Sequence, residues 1–433
     1  MLFRKDGPGE SIVVRGARVL DPAAAVDATL DVRIDDGVIT ALGTDLDTNS
    51  HRIVEAEGLL LAPGFVDPHV HLRTPGREDE ETIASGTAAA AAGGYCAILA
   101  MPNTEPVVDS AATIGSLIEI ARAEAEIPVG FLASITRGQV GAELTEMAEL
   151  ADAGAAGFSD DGVPVASAGL MRRALQYGAV TARRIALHCE EPTLSRGGQM
   201  HEGAVSAELG FAGYPSVAES VMVERDLSLA AYESRPLHLL HLSAWESVQA
   251  LRRARAEGVQ ATAEVTPHHL CLTDEAVRSL DPNLKMNPPL RAASDRTALI
   301  EGLKDGTITA IATDHAPHAR HEKDVPFEAA PFGVTGLETA FAALYTRLVE
   351  PGVVPLETVL ERMSGGAARA YGLDEPRIAV GAQANLVLLD LRASYGITEG
   401  DFRSRSVNSW LLGETVKGKV RATIAAGRLA YSS

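Results

Sequence analysis

Eight short apolar segments, each followed by a stretch that can form a helix, recur between Gly64 and His315 of this 433-residue chain. They read GFVDPHVHL, YCAILAM, VGFLAS, GAAGFSD, RIALHCE, LHLLHLS, VQATAEVTPHH and TAIATDH, with helical stretches such as ELTEMAELADA and AWESVQALRRARAEG between them. Eight strand–helix alternations are what a closed α/β barrel of the (β/α)8 TIM type requires. An open doubly wound sheet is the competing architecture, but no GxGxxG or GKS/GKT follows a strand to support nucleotide binding. The ends of the chain differ in texture. SIVVRGARVL, DVRI, VITALG and RIVEAEGLLLAPG open it as short strands, with Asp36-Gly37 a hairpin signal, and RIAVGAQANLVLLDL and VKGKVRATIAAGRLAYSS close it. Neither end can build a core alone. The expected organisation is therefore a discontinuous β-sandwich domain from residues 1–62 with 375–433, flanking a catalytic barrel at 63–374.

Charge narrows the partners. With 38 Lys+Arg against 58 Asp+Glu the formal charge is −20, so nucleic acid and anionic membrane, which need a concentrated basic surface, are not expected. Three scattered cysteines, Cys96, Cys189 and Cys271, form no CxxC pair and read as small core residues in a reducing compartment. Residues 83–102 carry no charge, yet they are rich in Ala and Gly and divided by Gly93-Gly94; a buried helix running into a buried strand fits better than a membrane span. MLFRKDGPGES has no apolar core of a signal peptide, and a cytoplasmic protein is expected.

Ionisable groups gather at the C-terminal ends of the strand segments, where barrel enzymes build their sites. His69 and His71 are two apart, so on a strand both imidazoles face one cavity, which suits a metal ion. His188, His241 and Asp314 end three further segments, and GAAGFSDDG supplies Asp160 and Asp161. Four imidazoles and a carboxylate exceed what one tetrahedral zinc uses. Two ions would need a bridging ligand.

The series HVHLR, MPNT, FSDDG, LHCE, HLS, MNPPLR and TDHAPH, in this order, resembles the amidohydrolase superfamily and, more narrowly, the class I (bacterial-type) dihydroorotases. The resemblance spans almost the whole chain. It implies zinc-dependent, reversible cyclisation of N-carbamoyl-L-aspartate to dihydroorotate in pyrimidine synthesis. It makes His69 and His71 ligands of one Zn2+, His188 and His241 ligands of a second, Asp161 the bridge together with a hydroxide, and Asp314 both a ligand and the catalytic acid/base. It assigns substrate contacts to Arg73, Asn103, Asn287, His318 and the backbone at Phe332-Gly333. Arg73, two residues after His71, is expected on the same strand face, its planar guanidinium suited to a carboxylate. Many superfamily relatives bridge their metals with a carboxylated lysine. Here no lysine lies between residues 6 and 284, and Lys285, Lys304 and Lys323 end no strand, so an ordinary carboxylate must serve. Spacing alone leaves Asp160 and Asp161 equivalent.

The chemistry agrees. Opening an unactivated cyclic amide needs a strong nucleophile, a polarised carbonyl and a proton for the leaving nitrogen; a metal-bridging hydroxide, a Lewis-acid metal and Asp314 would supply them. Other polar residues read as structural: Glu78 to Glu81 as acids favoured by a helix dipole, His315 as support for the loop of His318, and His51, His201, His238 and His321 as surface or packing residues. His268 and His269, at a strand end, stay open. Rival readings are an allantoinase or hydantoinase, whose substrates lack the carboxylate that Arg73, Asn103 and His318 are suited to hold, and a non-catalytic scaffold for aspartate transcarbamoylase, which has no need of metal ligands. A homodimer and a transcarbamoylase partner are left open.

Overall fold

A computed structural model describes residues 2–433. All eight central segments form parallel strands of one sheet: β1 (Phe65–Val70), β2 (Tyr95–Ala100), β3 (Val129–Ala133), β4 (Gly157–Ser159), β5 (Arg184–Leu187), β6 (Leu237–Leu239), β7 (Ala261–Val265) and β8 (Ala310–Ile311), adjacent in chain order. The residues after β8 return to β1. Val70 bridges His315, His71 N donates to His315 O (2.8 Å), and Thr313 N donates to the carboxylate of buried Asp67 at 3.2 Å. The barrel is thereby closed.

Period two along the strands separates two environments. Val66 and Val70 of β1, Ile98 and Ala100 of β2, Ile185 and Leu187 of β5, and Ala263 and Val265 of β7 join the apolar layer under the helices. The alternate residues face the lumen, where Leu99, Leu132 and Ala186 pack with Tyr371. On β1, β6 and β7 the lumen-facing positions are instead Asp67, His69, His238 and Glu264, all fully buried and mutually hydrogen bonded. A charged layer of this kind is costly unless every member is paired.

The apolar stretch after residue 82 is the helix Ile83–Ala92, capped by Thr82, which leads through Gly93-Gly94 into β2. Among the described residues no helix is long and apolar enough to cross a membrane. The helix expected in ELTEMAELADA is confined to Met147–Ala153.

Strands from both ends of the chain share a second sheet: Ile12–Asp21, Val26–Asp35, Val38–Gly43, Arg52–Glu55 and Leu60–Pro63 from the first, Leu386–Gly396, Thr415–Ala425 and Arg428–Ser432 from the last. Asp36 (φ 49°) and Gly37 (φ 82°) form its hairpin turn, both in the left-handed region that this dipeptide favours. Leu60–Pro63 pairs with Leu386–Leu389, and Ile39 N donates to Ala382 O (2.9 Å), so the sheet curls around its own core of Ile12, Val32, Leu61, Leu386 and Ile424. Between Phe402 and Glu414 the chain leaves this sheet without a helix or strand and contacts the barrel loops.

Candidate metal centre and active site

Six residues from five strand ends converge on one buried cluster. His69 lies on β1; His71, Asp161, His188, His241 and Asp314 lie one to three residues beyond β1, β4, β5, β6 and β8. The carboxylate of Asp161 divides the imidazoles into pairs. Its Oδ2 is 3.5 Å from His69 Nε2 and 3.4 Å from His71 Nε2, and its Oδ1 is 3.6 Å from His188 Nδ1 and 3.5 Å from His241 Nε2. Asp314 Oδ1 joins the first pair, 3.4 Å from His69 Nε2 and 3.1 Å from His71 Nε2. His188 Nδ1 and His241 Nε2 approach to 2.9 Å.

Outer partners fix which nitrogen faces inward. His69 Nδ1 is 2.6 Å from Glu264 Oε1, His71 Nδ1 is 2.8 Å from Asn103 Oδ1, and His188 Nε2 is 2.9 Å from Glu190 Oε2. Each of these acceptors takes the ring N–H, which leaves the lone pair of the opposite nitrogen directed into the cluster, as metal ligation requires.

Two further observations fit a cationic occupant. His69 Nε2 and Asp161 Oδ1 are buried without a hydrogen-bond partner, the kind of orphan a metal satisfies. The electrostatics also call for positive charge. Burial opposes charging of His69 and His188, but Asp161, with Asp314 and Glu264 at His69 and Glu190 at His188, more than offsets it, holding His69 well above its usual value and His188 up to about 10. Asp161 and Asp314 are held low despite their burial, His69 being the principal cause. Imidazole and carboxylate donors match a zinc-type divalent ion.

The cluster opens into a cavity lined by Arg73, Asn103, Asn287, His318, Phe332 and Gly333 together with the clustered residues except His69, which is fully buried behind them. Gly333 takes φ 125°, and a Cβ there would meet the Ala316 Cβ at 2.7 Å, so the backbone approaches the cavity as only glycine allows. Arg73 Nε contacts Pro317 O (3.1 Å) and Glu80 Oε2 (2.9 Å), and its terminal amino groups make no hydrogen bond to the described residues. His318 Nε2 faces Phe332 O (2.8 Å). Burial, with Arg73 and Lys323 nearby, lowers His318 to about 3.

Four expectations need correction. Arg73 shares no strand face with His71: β1 ends at Val70 and Arg73 has φ 56°, so a left-handed turn aims it. Glu80 and Glu81 are not acids of a helix first turn. They precede the Thr82 cap, are fully buried, and bind Arg73 and Arg77 (Glu80) and His315 and Ser404 (Glu81). His268 and His269 do not end a strand; they lie in the short helix Pro267–Cys271, with His269 Nε2 3.0 Å from Pro288 O. His238 is neither a surface nor a mere packing residue: it points into the lumen, where its Nε2 lies 2.8 Å from Glu264 Oε2 and so holds the carboxylate that orients His69. Glu264, Glu190 and Glu80 were not anticipated. The one available signal was Glu264 itself, a carboxylate alternating with apolar residues inside ATAEV. Asp160 and Asp161 separate cleanly: Asp160 accepts from Ile135 N (2.7 Å) and Thr136 N (3.1 Å), outside the cluster.

Residues 58–247 match the family described as dihydro-orotase-like. The chain is 46% identical to a dihydroorotase of Pelotomaculum thermopropionicum, over 96% of this chain and 98% of that one, and 46% identical to a dihydroorotase of Halalkalibacterium halodurans, over 93% and 94%. In three dimensions it is similar to the L-hydantoinase (dihydropyrimidinase) of Arthrobacter aurescens, with TM-score 0.87 and 25% identity over 97% and 96% of the two chains. A D-hydantoinase, at TM-score 0.83 and 24% identity over 96% and 94%, shares the fold. A closed barrel with a polar lumen, its imidazoles and carboxylates gathered at the strand ends, and identity of this extent place the chain in the dihydroorotase family.

Proposed function

We propose that the chain interconverts dihydroorotate and N-carbamoyl-L-aspartate. The observation that carries this reading is the division of Asp161 between two imidazole pairs beside a cavity that offers Arg73, Asn103 and His318 to a carboxylate. The cofactor would be two zinc ions, one held by His69, His71 and Asp314, the other by His188 and His241, with Asp161 shared. Bound there, they would supply a Lewis acid for the ring carbonyl and a nucleophilic water at neutral pH.

The protein groups account for the remaining steps. Arg73, with two unused amino groups, grips the substrate carboxylate in a charge-assisted bidentate contact, and Asn103 and His318 flank it. Neutral His318 offers hydrogen bonding without a second charge. Asn287 and the Phe332-Gly333 backbone set the ring plane. In ring opening, water adds to the carbonyl carbon and ionised Asp314 takes its proton; the carbon–nitrogen bond then breaks and Asp314 returns the proton to the departing ring nitrogen. Closure reverses each transfer. The same carboxylate grip favours dihydroorotate over a hydantoin or allantoin. Assay of the purified protein with dihydroorotate, hydantoin and allantoin, with metal analysis of the same sample, tests the proposal; preference for either neutral ring would overturn it.

A further inference from the structure

The two loops that follow β8 carry His318 and Phe332-Gly333 into the cavity. Only their roots are paired, by the His315–Val334 bridge and the bond from Ala316 N to Val334 O (2.9 Å). Beyond that point only side chains span them: His318 Nε2 lies 2.8 Å from Phe332 O, Lys323 Nζ donates to Pro331 O (2.8 Å), and Asn408 bonds the backbone of both. Asn408 belongs to the irregular C-terminal stretch, is 5% exposed, and does not line the cavity. Its Oδ1 accepts from His318 N (3.1 Å), and its Nδ2 donates to Ala316 O (3.1 Å) and Gly333 O (3.2 Å). Its own carbonyl accepts from Thr335 N (3.0 Å). Two residues upstream, Ser406 Oγ donates to Glu80 O (2.8 Å), and the Glu80 carboxylate holds Arg73. The same stretch of chain therefore reaches the supports of both His318 and Arg73.

Only a primary amide meets these demands at once. The site presents one N–H and two carbonyls, so the occupant must accept once and donate twice. A carboxylate would turn acceptors toward acceptors, and an apolar side chain would strand three buried backbone groups.

We propose that Asn408 is a positioning residue for the substrate carboxylate, setting His318 and Gly333 at the spacing a bound substrate requires. The inference rests on the dihydroorotate reading above. It is tested on the metal-loaded full chain with Asn408→Ala and Asn408→Asp, measuring KM and kcat in both directions, metal content and Tm. Because a misplacement near 1 Å can cost up to about a hundredfold, Asn408→Ala should raise KM for both substrates by at least about tenfold, with kcat within about threefold of the parent and metal retained. A lowered Tm with unchanged KM would show a merely structural role and overturn the proposal, as would joint loss of kcat and metal. Asn408→Asp gives an independent reading should the alanine variant fail to fold. A protonated carboxyl keeps one O–H donor, so the ratio of its KM to the parent's should climb with pH as it ionises; a flat ratio overturns the assignment. A parent inactive on dihydroorotate would defeat the underlying function and the proposal together, whereas an active parent with an unaffected alanine variant defeats the proposal alone.

Discussion

Neighbouring carboxyls in the FSDDG stretch show how a single peptide step separates structure from chemistry. Asp160 turns to the β3 side, where Ile135 N, Thr136 N and the Thr136 hydroxyl occupy it, and its burial raises it to about 6. Asp161 turns to the imidazoles. Asp160→Ala should therefore keep its metal while losing roughly 1–3 kcal/mol of stability from stranded donors, and Asp161→Ala should lose metal. Metal analysis and thermal melts of both variants decide the matter, and metal loss confined to the Asp160 variant would reverse the assignment. Asp314→Asn should retain the fold and much of the metal but lose about 10²–10⁴-fold in kcat, because an amide cannot shuttle the proton; a rate close to the parent's at matched metal content would remove Asp314 from proton transfer. Behind the proposed ligands, Glu264 fixes His69 through Nδ1. Glu264→Gln should weaken metal affinity by roughly 10–100-fold, read by chelator competition, and unaltered affinity would reduce Glu264 to a packing role.

The strands themselves were legible in the sequence because period-two burial against helices leaves a strong apolar record. Legibility stopped where the ladders stop. Arg73, His241 and Asp314 all lie past their strands with φ of 56°, 30° and 50°, so alternation could not say which way they point, and their assignment came through motif resemblance instead. Glu80 and Glu81 were misread because a run of four acids resembles a solvated helix start, and their partners Arg73, His315 and Ser404 are mostly distant in sequence. Another acid, half-buried, ties the C-terminal stretch to the barrel. Glu338 accepts from Arg403 N and Ser404 N, and burial, with Glu81 adding repulsion, raises it to about 8 against an ordinary 4.5. The folded state thus binds more protons than the unfolded chain between those values, so the Glu338 contribution to stability is lost as pH rises through that window. Glu338→Gln keeps the acceptor and removes the titration. Its Tm relative to the parent should therefore climb between about pH 5 and 8, and a difference independent of pH would show that Glu338 is ionised throughout.

Viewed across the whole molecule, the scarcity of lysine limits how the two proposed metals could be bridged. The chain has six: Lys5, Lys285, Lys304, Lys323, Lys417 and Lys419. A carboxylated lysine needs an amine near the cluster and donors to receive the carbamate, and neither condition is met. Lys5 and Lys417 pair with Glu126 and Glu350, Lys304 with Glu301, and Lys419 lies over Tyr395. Lys323 is the best candidate on reactivity, since burial lowers it to about 7 and so frees its amine. Yet its Nζ faces the carbonyls of Pro282 (3.0 Å) and Pro331 (2.8 Å), while Lys285 Nζ faces those of Phe327 (2.8 Å) and Glu328 (3.1 Å). A carbamate in either place would set anionic oxygens against carbonyl oxygens, with no donor in return. On the proposed two-zinc reading the anionic bridge would come from Asp161, whose two oxygens face the two imidazole pairs. Protein stripped by a chelator and reloaded with zinc in buffer depleted of carbon dioxide should recover full activity, and added bicarbonate should change nothing. Recovery that depends on bicarbonate, or a carboxyl adduct found on any lysine by mass spectrometry, would mean that the bridge has been assigned to the wrong side chain.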